Sequence, residues 1–312
     1  MRAVRQHAYD QPLVVEEVAQ PSVGAGESLV TIAYGSVNPL DVWIANGAVA
    51  AAGPLPRTPG CEGVGTTADG ARVAFRGAGL GIVRDGSWAE QVAVPNAALA
   101  LIPDGCSDAQ AAALGIPGVT AFDCLEAAEV GAGSTVLILG ASGGVSTIAM
   151  QLARAHGARV IAQTSSVNRV GQVSRYADEV VVAAADGLEA EVREIAPDGV
   201  DVILDPLAGP FSAPCIRLLA AKGTLVLYGA SAGKEFCFGP QEMYRKNARL
   251  IGYSGLPVDP EATARSMEAL FALVAAGTLE AVIAAELALD DANEAVDRIT
   301  GNRAGGKLLL KP

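Results

Sequence analysis

The residues best placed to do chemistry lie in the run Val136-Leu137-Ile138-Leu139-Gly140-Ala141-Ser142-Gly143-Gly144-Val145-Ser146. A continuous apolar stretch enters a glycine-dense turn and passes straight into apolar residues at helical spacing. Backbone N–H groups at a helix start, with the helix dipole behind them, attract anions. A glycine at that point lets the backbone approach a pyrophosphate closely. The expected chemistry is dinucleotide binding, with Ser142, Gly143, Gly144 and Val145 as the cradle. Against the G-x-G-x-x-G fingerprint, Gly143 holds the second position, while Ala141 and Ser146 stand at the first and third. About 20 residues on, a site for NAD needs a carboxylate to bond the ribose hydroxyls. The chain has Gln163-Thr164-Ser165-Ser166-Val167-Asn168-Arg169 there. Hydroxyls and a nearby Arg169 replace the acid, which favours NADPH.

Other chemistries are short of material. The chain has 312 residues and two histidines, His7 and His156, too few for His-based zinc chemistry or a Ser-His-Asp triad. Its five cysteines, Cys61, Cys106, Cys124, Cys215 and Cys237, form no CxxC pair. Their spacing fits reduced thiols in a cytoplasmic protein. With Lys+Arg at 22 and Asp+Glu at 34, the net charge is −12, which disfavours nucleic acid and anionic membrane as partners. The start of the chain lacks the apolar stretch of a signal peptide. The uncharged window from Val130 to Ala153 is long enough to span a membrane, but its glycine cluster suits strand–turn–helix better.

These residues must be positioned by two kinds of segment. The first third is β-rich, with strands expected at Leu13–Val18, Glu27–Tyr34, Gly70–Phe75 and Ser87–Val94, punctuated by Gly and Pro. From Asp108 the pattern turns helical, at Asp108–Leu114 and Val119–Ala128. Apolar strands then alternate with helices: Thr135–Leu139, Val160–Gln163, Val180–Val182, Val200–Leu204 and Thr224–Tyr228, with helical Leu188–Ile195 and Phe211–Leu219 between them. Repeated βα units of this kind imply a doubly wound parallel sheet. A helix at Pro260–Ala276 and a mixed tail ending in Lys307–Leu310 follow.

Taken together, these motifs resemble the zinc-independent quinone oxidoreductase branch of the medium-chain dehydrogenase/reductase superfamily. Ser36-Val37-Asn38-Pro39-Leu40-Asp41 looks like its VNPxD segment, and Pro59-Gly60-Cys61-Glu62-Gly63 like its PGxEG turn. Gly86–Glu90, Gly118-Val119-Thr120-Ala121 and Gly306–Leu310 are similar to its later motifs, in order, over essentially the whole chain. The resemblance implies an α/β protein: a GroES-like β-rich catalytic domain from residues 1–115 and 261–312, and a Rossmann domain from 116–260. It implies hydride transfer from NADPH to a quinone or an α,β-unsaturated carbonyl, and a homodimer. By position, Asn38 and Thr120 belong at the nicotinamide, and Gly143, Gly144 and Val145 at the pyrophosphate. Ser165 and Arg169 belong at the 2′-phosphate, with Leu207, Gly229 and Ser231 along the nicotinamide and ribose. The zinc-binding branch has Cys and His where this chain has Asn38 and Cys61, so no metal is expected.

Two departures from the family pattern bear on the chemistry. The loop after Gly63 is short, and in the stretch Ile44–Val49 both Ala45 and Val49 are apolar where many members carry a basic residue near Ala45 and a tyrosine near Val49. The local candidates to stabilise or protonate a reduced carbonyl oxygen are then Tyr34, Asn38, Asp41 and water. Trp43 and Val49 would line the substrate pocket, Trp43 as a flat surface against a planar substrate. Two other readings stay open: a biosynthetic-pathway enoyl reductase or cyclisation catalyst with an apolar pocket, and an NADPH-binding sensor or scaffold without turnover.

Overall fold

The computed structural model describes residues 1–49, 52–256, 259–301 and 303–312. The chain divides into two compact units, Met1–Val119 with Leu256–Pro312, and Thr120–Gly255.

The first stretch of unit one runs through β1 (Arg2–Arg5), β2 (Val14–Glu17), β3 (Glu27–Val37) and the helix α1 (Pro39–Ala45). It continues with β4 (Glu62–Thr67), β5 (Arg72–Arg76), β6 (Gln91–Pro95), β7 (Leu99–Leu101) and α2 (Asp108–Ala112). Helix α3 (Gly115–Ala127) begins in this unit. Ser107 caps α2 by accepting the Gln110 N–H at 3.2 Å, as expected of serine before a helical run. The short loop after Gly63 is a tight β4–β5 hairpin, closed by Thr67 N–H to the Ala71 carbonyl at 3.0 Å.

The second unit alternates strand and helix: β8 (Thr135–Ile138), α4 (Gly144–Ala155), β9 (Arg159–Thr164), α5 (Val170–Val173), β10 (Glu179–Val182) and α6 (Ala185–Ile195). Then come β11 (Val200–Asp205), α7 (Ser212–Leu218), β12 (Leu219–Leu227), α8 (Pro240–Tyr244) and β13 (Arg249–Gly252). All neighbouring pairs are parallel, in the order β10-β9-β8-β11-β12-β13. Val136, Leu137, Ile138, Val160, Ile161, Ile203 and Leu204 are fully buried, as continuous apolar strands covered on both faces must be. Their order reverses between β8 and β11, and in open α/β sheets ligands bind at such a switch point, beyond the strands' carboxyl ends.

The chain then returns to unit one with α9 (Pro260–Ala275), β14 (Ile283–Ala288), α10 (Ala292–Thr300) and β15 (Lys307–Lys311). Asp259 caps α9, accepting the Glu261 N–H at 3.0 Å, with Pro260 at the first helical position. Strand β15 enters the mixed sheet between β14 and β3, so the chain's two ends share one core. Trp88, Val4, Leu13, Val37, Leu308 and Leu310 pack together there.

Two expected elements differ. The strand read at Ser87–Val94 begins only at Gln91, because Trp88 turns into the core and its backbone carbonyl accepts the Val4 N–H at 2.8 Å. The strand read at Thr224–Tyr228 starts five residues earlier, at Leu219, where α7 ends and the chain passes directly into β12 through a register shift. Among the described residues, no helix is long and apolar enough to cross a membrane, and Val130–Ala153 is loop, β8, turn and α4.

Candidate functional site

In unit two, β8 delivers the chain into the glycine turn, and Gly140 takes a positive φ of 55° that favours glycine. Gly143 is the N-cap of α4, so the first-turn N–H groups of Gly144, Val145 and Ser146 have no carbonyl one turn back. They stand at the start of a 12-residue helix, where unpaired N–H groups and the helix dipole together attract anions. The Ser146 hydroxyl folds back onto the Leu139 carbonyl at 3.0 Å, standing where the fingerprint's third glycine would pack helix on strand.

Arg169, just past β9, donates to Ser142 Oγ at 2.8 Å, bringing two of the expected cofactor residues together at this turn. Ser165, immediately after β9, is exposed. On the β11 side, the Ser231 N–H and hydroxyl both donate to the Pro206 carbonyl at 3.1 Å, and Ala232 N–H to Leu207 at 2.8 Å. A Cβ on Gly229 would come within 2.6 Å of that Pro206 carbonyl, so only glycine fits. Leu207 and Pro206 in turn border Gly140, each with a side-chain carbon 3.5 Å from where a Cβ there would be. Leu207, Gly229 and Ser231 thus gather beside the glycine turn. Thr120 is buried on α3.

Two side chains that hold this region escaped the sequence reading. Gln163, buried at the end of β9, accepts the Gly140 N–H at 2.9 Å and donates to the Ala183 carbonyl at 2.7 Å. Asp205, buried at the end of β11, accepts the N–H groups of Leu207 at 2.7 Å and Ala208 at 3.0 Å. Burial raises the Asp205 carboxyl above its ordinary range, although both N–H bonds oppose the shift.

In unit one, a buried polar cluster surrounds Asn38. Its Nδ2 donates to Glu62 Oε1 at 2.9 Å, and Lys307 Nζ donates to Asn38 Oδ1 and Glu62 Oε1, each at 2.5 Å. Asn38, Glu62 and Lys307 are only 4%, 1% and 6% exposed. The other Glu62 oxygen accepts the Ile116 N–H at the start of α3, where a Cβ on Gly115 would collide with the carboxylate. Asp41 accepts Asn38 N–H at 2.8 Å with one oxygen and Cys61 N–H at 3.0 Å with the other. Burial raises the Asp41 carboxyl, with the Glu62 charge adding to the effect and the N–H bonds opposing it. Burial, with Asp41 beside it, pushes the Cys61 thiol well up.

The structure joins Asn38 and Asp41 but gives Tyr34 other company. Its hydroxyl donates to Glu286 at 2.8 Å on β14, and Lys311 Nζ lies 5.9 Å from its ring. Burial and the Glu286 charge raise its pKa. Trp43 is 45% exposed on α1, whereas Trp88 is core. Val49 is half-buried. The missed partners Glu62 and Lys307 lie in quoted motifs, but no local signal pairs residues 245 positions apart. Arg57 was missed too: it is buried and donates to Gln6, Ile44 and Gly53, fixing the chain behind α1.

Comparison with known proteins adds the following. A family described as zinc-binding dehydrogenase matches residues 144–276. A quinone oxidoreductase of Pongo abelii is 30% identical, over 99% of this chain and 97% of its own length. A crystal structure of an NAD-dependent alcohol dehydrogenase is 27% identical, with a TM-score of 0.92 and both chains covered in full. The quinone oxidoreductase from Thermus thermophilus, solved alone and in complex with NADPH, is 28% identical, with a TM-score of 0.87 and both chains again covered in full.

Proposed function

The chain belongs to the quinone oxidoreductase type of the medium-chain dehydrogenase/reductase superfamily, and on that premise we propose that it transfers hydride from NADPH to a quinone or an α,β-unsaturated carbonyl, without zinc. The observation that carries the cofactor reading is Arg169 held on Ser142 at the phosphate turn, with no carboxylate at the end of β9. A guanidinium there suits a 2′-phosphate. The amides of Gly143, Gly144 and Val145 would hold the pyrophosphate, and Ser165 would join Arg169 at the 2′-phosphate. Thr120, Leu207, Gly229 and Ser231 would line the ribose and nicotinamide. NADPH, when bound, supplies the hydride.

The remaining task falls to the chain's own groups, which must stabilise or protonate the oxygen that gains charge. Asn38, Asp41 and Tyr34 are each already engaged in hydrogen bonds. That supports water as the proton source, which suffices for a quinone because its reduced form is a stable hydroquinone. Trp43 and Val49 would offer apolar surface to a planar acceptor.

The zinc-binding description of the matched family raises the question of a metal. The residues around Asn38 do not fit one. The Lys307 ammonium already stands between Asn38 and Glu62, both Asp41 oxygens take backbone N–H bonds, and burial disfavours the Cys61 thiolate. Zinc needs deprotonated ligands and an opening among them. No step here runs through a metal.

We also read the chain as a homodimer of the cytoplasm. Strand β13 ends its sheet, and Leu250 on it is 37% exposed, a combination that favours pairing with a second strand. The free cysteines fit a reducing compartment. The decisive experiment titrates NADPH and NADH, then follows NADPH consumption with a panel of small quinones and enones. Tighter binding of NADPH with turnover on a quinone is expected. NADPH binding without consumption by any acceptor would defeat the reading, and light scattering at working concentration tests the dimer.

A further inference from the structure

We propose that Lys307 is a positioning residue for hydride transfer, acting through the orientation of the Asn38 side-chain amide. The proposal rests on the functional reading above and on the family resemblance, which implies a place for Asn38 at the nicotinamide. An asparagine amide can sit in two orientations that differ only in which end carries the oxygen. Here the surroundings allow one. The Lys307 ammonium can only donate, so it fixes Oδ1, and the Glu62 and Asp41 carboxylates can only accept, so they fix Nδ2.

The same ammonium neutralises Glu62, whose second oxygen holds the Ile116 N–H. Without the cation, a carboxylate only 1% exposed would be left uncompensated beside Asp41. Removing one partner of a buried ion pair is strongly destabilising. Nothing on α1 itself supplies this charge. Lys307 comes from the first position of β15, 269 residues along the chain from Asn38, and reaches it because β15 pairs with β3.

The test is a double-mutant cycle. Lys307→Met alone leaves Glu62 charged and buried, so it risks the fold. The paired variant Lys307→Met/Glu62→Gln removes both charges at similar volume and is the working variant of the cycle, together with Asn38→Ala and the triple variant. Thermal melts confirm folding, and steady-state rates are measured with NADPH and a small quinone that the wild-type chain reduces. The paired variant should lower kcat by about 10–100-fold, the range that misplacing a reacting group produces. Its KM for NADPH should stay within about threefold, since the phosphate turn is untouched. In the Asn38→Ala background, the pair should cost no more than about a further threefold, because residues that act through one another are not additive. Losses that multiply in the triple variant, a rise confined to KM, or wild-type kcat in the paired variant would each overturn the proposal. A wild-type chain that binds NADPH but reduces no quinone would instead overturn the functional reading, and this inference with it.

Discussion

Arg169 shows how much one side chain decides. Its guanidinium donates to Ser142 at the glycine turn, and in the proposed reading the turn's backbone would serve any pyrophosphate, so selectivity for a 2′-phosphate would fall to this side chain. Arg169→Ala should weaken NADPH by about 10–100-fold, in line with the strength of a hydrogen bond to a charged group, and NADH by less than about threefold. Isothermal titration of both dinucleotides checks this, and equal losses would make Arg169 a surface charge only. Asp205 carries a pH signature. Its carboxyl ordinarily titrates at 3.8, and burial raises it. Between those two values the folded chain keeps a proton that the unfolded chain has released, so stability falls as the pH rises through the window. The amide of Asp205→Asn accepts the same two N–H bonds and does not titrate. The melting temperature of the variant minus that of the wild type should therefore climb from about pH 4 upwards and level off once the wild-type carboxyl is ionised in both states. Calorimetry across that range gives the curve, and a flat difference would contradict the argument.

At the scale of elements, the glycine turn is held by its neighbour strand. Gln163 takes the Gly140 N–H, and its own backbone carbonyl takes the Ala141 N–H at 2.8 Å, so β9 grips the chain on both sides of the bend. Gln163→Met keeps the volume but removes the partners of the part-buried Gly140 N–H and the buried Ala183 carbonyl. Each such orphan costs about 1–3 kcal/mol. Denaturant unfolding should register that loss, and the Kd for NADPH should rise with it, because a looser turn must be ordered on binding. The turn itself is legible from spacing, since apolar strand, glycines and helix follow one another over eleven residues. The grip is not legible, because Gln163 reads as one more residue of a strand until the parallel pairing of β9 with β8 carries it to Gly140.

At the scale of the molecule, the two ends of the chain build one core. Strand β15 lies between β14 and β3, with Leu308, Leu309 and Leu310 fully buried. Burying each such side chain contributes about 1.5–3 kcal/mol, so the three together rival the about 5–15 kcal/mol that holds a whole domain. A chain cut after Gly305 should lose the native packing of unit one. Trp43 and Trp88, the protein's two tryptophans, both lie in that unit. Their emission should shift to that of solvent-exposed indole, while the parallel-sheet unit keeps much of its far-ultraviolet circular dichroism. Native emission in the shortened chain would show that β15 is dispensable.

Features whose physics is local can be read from residue types and their spacing. A helix start suited to an anion, a strand buried on both faces and a missing carboxylate each need only a few consecutive residues of the right type. The likeness of Val37–Asp41, Pro59–Gly63 and Gly306–Leu310 to family motifs was legible in the same way. That these three segments meet, with Asn38, Glu62 and Lys307 in one buried cluster, emerges only from the folded arrangement. It also paired Tyr34 with Glu286 rather than with that cluster. The reason is electrostatic. A charge set apart from water must find its counterpart wherever the sheet topology brings one, and that partner is fixed by strand order, not by distance along the chain.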